Sequence, residues 1–256
     1  MIHPTAIISD KATIADDVEI GPYTIIGDGV EIGSGTRIDS HVVINGPTRI
    51  GKDNHIYQFA SIGDDPQDKK YAGEPTSLVI GDRNTIREFC TFSRGTTQDR
   101  GETVMGDDNW IMAYVHVAHD CVIGSNTIMA NNTTLAGHVH VGDWVICGGF
   151  SGAHQFCRIG AHAFLGMYCG INRDVSAYTM VAGQPAVARG INSEGLKRRG
   201  FSAGQIRNIK NAYRITFRQG KRLEEAIEEI AELVASQPEL EMFLDSLRSS
   251  ERGLTR

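Results

Sequence analysis

Histidines are the residues of this 256-residue chain whose type and spacing best suit chemistry. Four of the nine, His116, His119, His138 and His154, fall within 39 residues of one another, and Asp120 directly follows the second of them. An imidazole can take a proton from an alcohol or an amine near neutral pH, and a neighbouring carboxylate can stabilise the imidazolium that forms. His119 with Asp120 is therefore a candidate general-base pair. No GxSxG motif is present, which favours direct proton abstraction over a covalent intermediate.

A repeat of six residues predicts where these side chains lie. Isoleucine recurs at every sixth position from Ile2 to Ile62, usually with a smaller residue two positions earlier, and a second series runs from Met105 to Ile171. This period fits neither an amphipathic helix nor a plain strand, but it is typical of a parallel β-helix, a prism of short strands that meet at corners. The chain is thus predicted to be mainly β, with about ten stacked coils at the usual strand spacing.

The same repeat predicts that the histidines form a cluster. With three hexapeptides in a coil, all four fall at neighbouring positions outside the inward-facing slots, on three successive coils. They are expected to project from one side or edge of the prism. Glycine often follows the large inward residue, as at Gly21, Gly33 and Gly63, and we expect it to take tight corners with positive φ.

Two interruptions of the repeat, near residues 63–77 and 93–103, are predicted to leave the prism as loops. The first contains Asp68 and Glu74 at positions that cannot fill an apolar core unpaired. Long loops on a rigid scaffold are often functional. The stretch from Ile62 to Ile80 keeps the six-residue phase, which indicates one bulged coil.

The chain divides into a β-helix over residues 1–191 and a small α-helical domain over residues 192–256. Ser202 and Gln205 form a capping box at the start of a helix that is expected to end near Gln219. Two further helices are predicted, from Leu223 to about Ser236 and from Pro238 to about Arg252.

Composition and charge narrow the class of protein. The chain is 41% hydrophobic with a formal net charge of −6, has no apolar run long enough to span a membrane, and opens without a signal-peptide pattern, so a cytoplasmic protein is expected. The five cysteines lack a CxxC motif and occupy inward positions of the repeat, which predicts buried free thiols rather than disulfides or metal ligands.

Basic residues gather in the helical domain. Ten basic residues and one acidic residue, Glu194, stand between Arg189 and Arg222. The spacing of Arg207, Lys210, Arg214 and Arg218 places them on one helix face, which predicts a docking surface for an acidic partner or a phosphate. Nucleic acid is disfavoured because no binding motif or aromatic platform accompanies the charge.

Five segments, in this order, resemble the UDP-N-acetylglucosamine 3-O-acyltransferase family: PQDKKYAGEP, YVHVAHDC, TLAGHVHVGD, GAHQFCRIGAHAF and NSEGLKRRGFS. The resemblance covers essentially the whole chain. It implies a left-handed β-helix and a homotrimer with active sites between neighbouring prisms. It also implies transfer of an (R)-3-hydroxyacyl chain from the phosphopantetheine of acyl carrier protein to the 3-hydroxyl of UDP-N-acetylglucosamine, the first step of lipid A synthesis. No metal or other cofactor is implied.

The resemblance also implies roles for individual residues. His119 matches the general base, Asp120 its orienting partner, and Gly137 a backbone N–H that could hold the thioester oxyanion. The positions matching substrate contacts are Asp68, for the glucosamine; His116 and Lys70, near the sugar and its phosphates; His138, near the donor; His154 and Gln155, on the nucleotide or acyl side; and Asn192, Glu194 and Arg198, for uridine and phosphate. The basic helix face would receive the acidic carrier protein.

Met167 departs from part of the family, because some members carry glycine at this place in the acyl groove. A thioether side chain fills space that glycine leaves open and should block roughly three or four methylenes. Met167 therefore predicts an acyl donor of roughly ten carbons, with groove length acting as a ruler.

Two other enzyme classes stay open on the residues alone. One is the N-acyltransferase of the same pathway, whose members normally carry an additional N-terminal domain, whereas here the repeat begins at Ile2. The other is a trimeric zinc hydratase on the same prism, which the HxxH spacing of His116 and His119 would suit. A non-catalytic structural or ice-binding prism is disfavoured because the outward positions are charged and mixed.

Overall fold

Parallel strands wind into a three-walled prism, as the repeat predicts. The computed structural model describes all 256 residues. The strands are β1 (Ile7–Ile8), β2 (Thr13–Ile14), β3 (Glu19–Ile20), β4 (Ile25–Ile26), β5 (Val30–Ile32), β6 (Arg37–Ile38), β7 (Val43–Ile44), β8 (Thr48–Ile50), β9 (His55–Ile56), β10 (Ser61–Asp64), β11 (Ser77–Ile80), β12 (Thr85–Ile86), β13 (Thr91–Ser93), β14 (Glu102–Met105), β15 (Trp110–Ile111), β16 (His116–Val117), β17 (Val122–Ile123), β18 (Ile128–Met129), β19 (Thr134–Leu135), β20 (His140–Val141), β21 (Ile146–Cys147), β22 (Gly152–Ala153), β23 (Arg158–Ile159), β24 (Phe164–Leu165), β25 (Gly170–Ile171), β26 (Thr179–Ala182) and β27 (Val187–Ile191).

Every third strand belongs to the same sheet, so the prism has three sheets. Sheet 1 contains nine strands from β1 to β25, sheet 2 eight strands from β2 to β23, and sheet 3 ten strands from β3 to β27. The chain passes from sheet 1 to sheet 2 at a first corner, from sheet 2 to sheet 3 at a second, and back to sheet 1 at a third. Sheet 1 has nine strands, sheet 2 has eight and a parallel bridge from Ile159 to Val175, and sheet 3 has nine parallel strands besides the antiparallel β27. The prism thus has nine coils rather than about ten, because the two loops take up residues that were assigned to coils.

The recurring isoleucines form the core. Ile26 pairs with Ile44 and Ile44 with Ile62 along sheet 1, while Ile38 pairs with Ile56 along sheet 3. All five are at most 1% exposed. Burying one such side chain stabilises the fold by roughly 1.5–3 kcal/mol, so the stacked ladders are the main source of stability in the prism.

The first interruption leaves the prism as a loop, as predicted, but it is an insertion at a corner and does not take the place of a whole coil. Ile62 pairs with Phe92 in sheet 1, whereas Ile80 pairs with Ile50 and Met105 in sheet 2. Residues 65–76 and 94–101 therefore form two loops that both leave the prism between sheets 1 and 2. The insertion preserves the six-residue phase, which made it look like part of a coil.

The glycines that follow the large inward residues do not have the predicted conformation. Among them, Gly63 alone has positive φ, at 75°. A Cβ on Gly21 or Gly33 would lie 2.7 Å from backbone atoms of the next coil, so glycine is needed there for close stacking. The positive-φ corners are taken mostly by larger residues, among them Phe89 and Tyr114, whose rings stack with centroids 4.9 Å apart.

All five cysteines are buried and unpaired, as predicted: Cys90, Cys121, Cys147, Cys157 and Cys169. Burial raises the pKa of the Cys90, Cys121 and Cys147 thiols to about 12. They are therefore protonated at neutral pH and serve as small apolar side chains of the core.

Four α-helices follow the prism: α1 (Ser193–Arg198), α2 (Ala203–Phe217), α3 (Leu223–Val234) and α4 (Glu241–Arg248), with a short 3₁₀ helix (Pro238–Leu240) before the last. The capping box of Ser202 and Gln205 is present. The sequence interpretation missed α1 and the antiparallel β26–β27 hairpin, and it extended each later helix by two to four residues. Weak propensity signals near helix ends explain the extension.

The helical domain shares a core with the last coil. Tyr178 and Ile191 pack in one cluster with Leu196, Ile209 and Phe243. The end of the chain also returns to the prism, because the Asp174 carboxylate accepts hydrogen bonds from Ser250 Oγ and the Glu251 and Arg252 N–H groups. No helix has the length and apolar character needed to cross a membrane.

Candidate active site

Two of the four histidines that were predicted to cluster, His119 and His138, line one cavity at the first corner of the prism, whereas His116 and His154 do not. Both loops leave there, and His119 and His138 occupy the same corner on the next two coils. A cavity of about 470 Å³ opens between the loops and these coils. It is lined by Gln67, Asp68, Lys69, Lys70, Gln98, His119, His138, Gln155 and Phe156.

His119 and Asp120 form the predicted pair. His119 Nδ1 lies 2.9 Å from Asp120 Oδ2, and the side chains are 8% and 0% exposed. A carboxylate can only accept, so Nδ1 carries the proton and Nε2 of the neutral ring is left as the basic atom. The local backbone makes this contact between adjacent residues possible, because Asp120 takes the left-handed conformation with φ of 58°.

Asp120 is held in its ionised form. Burial alone would raise the pKa of this carboxyl group, but hydrogen bonds from His119, from the Thr96 hydroxyl (2.6 Å) and from the Thr96 N–H (2.9 Å) outweigh it, and the pKa is lowered. Asp120 thus orients His119 and fastens the 94–101 loop to the corner. Thr96 was missed in the sequence because this loop breaks the repeat that located the other residues.

Gly137 lies against the imidazole of His119. A Cβ at this position would be 2.5 Å from Cε1 and 2.7 Å from Nε2 of His119, so no other residue leaves the ring in place. The Gly137 N–H makes no hydrogen bond within the chain. The equivalent corner N–H groups of His119 and Gln155 are also free, but that of Gly137 is beside the basic atom.

His138 bounds the other side of the cavity. Its ring meets that of His119 edge to face, with centroids 4.9 Å apart, and stacks on Phe156 at 4.3 Å. His138 Nδ1 lies 2.7 Å from Asp99 Oδ2 in the 94–101 loop. Asp99, Gln98 and Phe156 were not found from the sequence.

His116 lies near the pair but does not line the cavity. Its Nδ1 is 2.7 Å from Thr91 Oγ1, and burial together with the nearby His119 lowers its pKa. The potential metal ligands that do converge are His119, Asp120 and His138, whose donor atoms lie within 4.8 Å of one another. His119 and His138 each direct Nδ1 to a carboxylate, so a hydrogen-bonded network explains why these three residues converge. His116, the other histidine of the HxxH pair, is not among them.

The two loops brace each other above the cavity. The buried Arg94 donates to the Gly63 carbonyl and the Asp65 carboxylate, and its Nη2 lies 3.1 Å from the Tyr71 hydroxyl. This arrangement presents Asp68 and Lys70, two positions that the family resemblance singled out, to the cavity. Asp68 Oδ1 accepts a hydrogen bond from the Lys70 N–H at 3.0 Å, which shapes the loop locally.

His154 and Gln155, two adjacent residues with a predicted role in substrate binding, face different cavities. Gln155 lines the cavity beside His119, and His154 lines a second one. The second cavity, of about 620 Å³, lies on the outer face of sheet 1 and extends to Phe150 and Tyr168 at the third corner. Gly152 and Gly170 are paired on neighbouring strands and leave its floor without side chains. Met167, adjacent to Tyr168, is 62% exposed.

Three predicted residues lie at a different corner of the same chain. Asn192 caps α1 and its Nδ2 donates to the His162 carbonyl, which lies between sheets 2 and 3. Glu194 and Arg198 are exposed on α1. They are not brought to the His119 cavity within one chain.

The basic face of α2 has the predicted form. Arg207, Lys210, Arg214 and Arg218 are all exposed, and none of them makes an ion pair. Arg218 also donates to the Ala188 carbonyl and lies over the ring of Tyr213. These charges are available to a partner.

A prism of hexapeptide coils with a histidine–carboxylate pair at one corner defines a hexapeptide-repeat transferase. Residues 102–137 match the family model described as bacterial transferase hexapeptide (six repeats), and residues 174–255 match that of Udp N-acetylglucosamine O-acyltransferase, Domain 2. Acyl-[acyl-carrier-protein]–UDP-N-acetylglucosamine O-acyltransferase of Thiobacillus denitrificans is 60% identical over 255 residues, covering 100% of this chain and 99% of the relative. The enzyme of the same name from Stutzerimonas stutzeri is 57% identical over 256 residues, with the same coverage.

Solved structures agree with the sequence relatives. The crystal structure of UDP-N-acetylglucosamine O-acyltransferase from Moraxella catarrhalis superposes with a TM-score of 0.99 at 52% identity, covering 100% of this chain and 99% of that one. The chain belongs to the UDP-N-acetylglucosamine O-acyltransferase family, and it is an acyltransferase built on a left-handed parallel β-helix. The fold class and the family resemblance drawn from the sequence are confirmed.

Proposed function

We propose that this enzyme transfers an (R)-3-hydroxyacyl chain from acyl carrier protein to the 3-hydroxyl of UDP-N-acetylglucosamine, the first step of lipid A synthesis. One observation carries the proposal: the buried His119–Asp120 pair, with Nε2 beside the free N–H of Gly137, faces a polar cavity. Relatives at up to 60% identity over their whole length are named for acyl transfer from this carrier to this sugar nucleotide.

The pair supplies a direct transfer mechanism. His119 Nε2 takes the proton of the sugar 3-hydroxyl while the oxygen attacks the thioester carbonyl carbon. The carbonyl electrons move onto oxygen, where the Gly137 N–H donates a hydrogen bond to the oxyanion. When the carbonyl re-forms, the carbon–sulfur bond breaks and the leaving thiolate takes the proton from the His119 imidazolium. Asp120 stabilises that imidazolium throughout.

The acceptor is held by the loops and by a second chain in this proposal. Lys70 places an ammonium group at the cavity, suited to the pyrophosphate, and Asp68 accepts from sugar hydroxyls. Gln155 lines the same cavity, and His116 and His154 lie beside it on sheet 1 and its corner. Asn192, Glu194 and Arg198 lie at another corner, so they reach uridine and phosphate only if a neighbouring prism of a homotrimer supplies them.

The acyl chain is proposed to lie in the cavity on sheet 1. Gly152 and Gly170 form an apolar floor that begins at His154 and ends at the third corner, near Met167. Four residue steps from His154 to Phe150 span about 13 Å, which an extended chain of roughly ten carbons would fill. Met167 adjoins the third corner without lining this cavity in one chain; in this proposal its side chain limits the far end of the groove, and a donor of about ten carbons is expected.

The carrier protein is proposed to dock on α2. The acidic surface that acyl carrier protein presents would meet Arg207, Lys210, Arg214 and Arg218, which have no acidic partner in the chain. Family membership favours this O-acyl transfer over the N-acyltransferase and zinc hydratase alternatives.

We also propose that transfer needs no metal ion or other cofactor. Dialysis against EDTA should leave the rate unchanged, since the Nδ1 atoms of His119 and His138 already face carboxylates. Loss of activity on chelation, with recovery on addition of Zn²⁺, would contradict this and revive the zinc alternative.

The first test is acyl transfer from 3-hydroxydecanoyl carrier protein to UDP-N-acetylglucosamine, with His119→Ala in parallel. Product from the native enzyme and a rate lower by about 10²–10⁴-fold in the variant would support both the reaction and the base. Product from both at similar rates would assign the base elsewhere. No product from either would overturn the proposed donor or acceptor.

A further inference from the structure

A second histidine–carboxylate pair faces the cavity opposite the first. His138 is 11% exposed, its Nδ1 lies 2.7 Å from Asp99 Oδ2, and its Nε2 has no hydrogen-bond partner in the chain. Asp120 Oδ2 is farther from the same Nδ1, at 3.8 Å. Of the two carboxylates near His138, only Asp99 is within hydrogen-bond distance.

We propose that Asp99 is the positioning residue of His138, which holds that ring so that its Nε2 meets the bound substrate. The carboxylate can only accept, so it keeps the proton on Nδ1 and leaves Nε2 free to contact a substrate hydroxyl or the thioester. Phe156 stacks on the ring and fixes its plane, while Asp99 fixes its rotation in that plane. This rests on the proposed acyl transfer and adds a residue to it.

The 94–101 loop brings Asp99 to this place. The loop base is pinned by the two hydrogen bonds from Thr96 to Asp120 and by the Gly101 N–H to the Thr96 carbonyl at 2.9 Å. Asp120 therefore contacts His119 directly and, through the loop, sets the position of Asp99. Because these anchors do not involve the Asp99 side chain, its replacement should leave the loop in place.

A double-mutant cycle separates positioning from a structural role. Asp99→Ala should lower kcat/KM by about tenfold or more, as loss of an orienting carboxylate usually does. In a His138→Ala background the same change should lower it by less than about twofold, because the group that Asp99 positions is gone. Asp99→Glu should recover part of the loss. Thr97→Ala, an exposed position of the same loop, is the control and should match the native enzyme.

Histidine ¹⁵N NMR gives a readout that does not depend on activity. His138, assigned by its loss in His138→Ala, should be protonated at Nδ1 in the native enzyme and shift toward the Nε2-protonated form in Asp99→Ala. Equal loss of kcat/KM in both backgrounds, no loss in Asp99→Ala, or an Nε2-protonated His138 in the native enzyme would each overturn the inference. Absence of transfer by the native enzyme would instead overturn the proposed function.

Discussion

At the scale of single residues, the site depends on adjacent side chains that contact each other only because of an unusual backbone. Asp120 contacts His119 from a left-handed backbone conformation, and the position of Gly137 has no room for a side chain because the His119 imidazole lies against it. The register located His119 and Asp120, because the six-residue repeat continues without interruption from His116 to Ile171, whereas only the family resemblance pointed to Gly137. The sequence did not locate Thr96 or Asp99, because a loop has no period from which a side chain's direction can be predicted.

Asp120→Asn tests the pair with little change of shape. A neutral amide cannot stabilise the imidazolium by its charge. Its NH₂ group can also donate to Nδ1, which would place the ring proton on Nε2, so kcat should fall by about 10²–10⁴-fold. Asp108→Asn, at a carboxylate that pairs with Arg83 at the second corner, is the matched control and should be near native. Steady-state assay of both variants checks this, and a near-native rate for Asp120→Asn would rule out the electrostatic role.

His162 predicts how stability depends on pH. It is buried among Trp144, Tyr178 and Phe201, and Arg199 Nη1 lies 3.1 Å from its Nδ1. Burial first, and Arg199 second, lower its pKa from 6.5 to about 4. Between these values the unfolded chain binds the proton and the folded chain does not, so stability falls as the pH falls from 6.5 to 4.

Replacement of His162 should remove this part of the pH dependence. In His162→Phe, which keeps a ring in the stack, the loss of unfolding free energy between pH 6.5 and pH 4.5 should be smaller by roughly 1–2 kcal/mol. Urea unfolding of both proteins at the two pH values and one protein concentration is the measurement. The same pH dependence in both would show that His162 titrates normally in the folded protein.

At the scale of elements, strands were predicted well and helices less so. Each hexapeptide has the same local conformation and packs against similar residues of the neighbouring coils. The inward position of Ile38 and Ile56 could therefore be predicted from spacing alone. The ends of α2, α3 and α4 depend on packing against the last coil, which no local pattern reveals. The capping box at Ser202 was readable because both of its hydrogen bonds are local.

The bare floor of sheet 1 predicts an acyl-length preference that two substitutions should move in opposite directions. A Cβ at Gly152 would meet only the Thr134 carbonyl, at 3.6 Å, so Gly152→Val should fold and fill the groove. It should favour donors shorter than ten carbons, while Met167→Gly should favour longer ones. In each variant, the ratio of kcat/KM between the favoured donor and the ten-carbon donor should change at least about tenfold from the native ratio, since a buried methylene contributes about 0.8 kcal/mol.

Competition between C8, C10 and C14 3-hydroxyacyl carriers measures these preferences. Gly190→Val is the control, because a Cβ there meets nothing within 4 Å and the position lies on β27, away from the groove. A native preference for C14, or an unchanged preference in Met167→Gly, would contradict the ruler.

The exposed face of α2 predicts how the carrier binds. Reversing Arg207, Lys210 and Arg214 to glutamate should raise KM for the acyl carrier at least about tenfold while kcat stays near native, and the native KM should rise with salt. Arg214→Glu alone should raise this KM by a smaller factor, and Arg248→Glu, the same single reversal at an exposed arginine of α4 without an ion pair, is its charge-matched control. Transfer from an acyl-pantetheine without the protein should be unaffected; an equal loss with that donor would assign the basic face to catalysis instead.

At the scale of the whole molecule, one chain supplies only part of the proposed site. His119 and Lys70 face the cavity at the first corner, whereas Arg198 lies on α1 beyond the second. If prisms associate as a ring, the first corner of one chain can meet α1 of the next. His119→Ala and Arg198→Ala would then damage opposite sides of the same interface.

Mixed trimers test this arrangement. Each variant alone should be strongly impaired, but trimers formed by refolding an equal mixture should regain about a quarter of native activity, because that share of the interfaces unites an intact His119 with an intact Arg198. Assay of the mixture against each refolded variant is the measurement. A mixture no more active than its parts would place both residues in the site of a single chain.

Both loops leave and rejoin the prism between the same two sheets, so the length of either loop is independent of the coils above and below it. Val43 pairs with Ser61, eighteen residues on, whereas Ser61 pairs with Thr91, thirty residues on, and yet the ladder of sheet 1 continues, with a register shift only between Ile62 and Asp64 at the base of the loops. An insertion at this edge therefore shifts the register only beside the loops and leaves the pairing of the other strands of sheet 1 as it was. The two loops that line the cavity can thus change in length while the three sheets that support them stay in place.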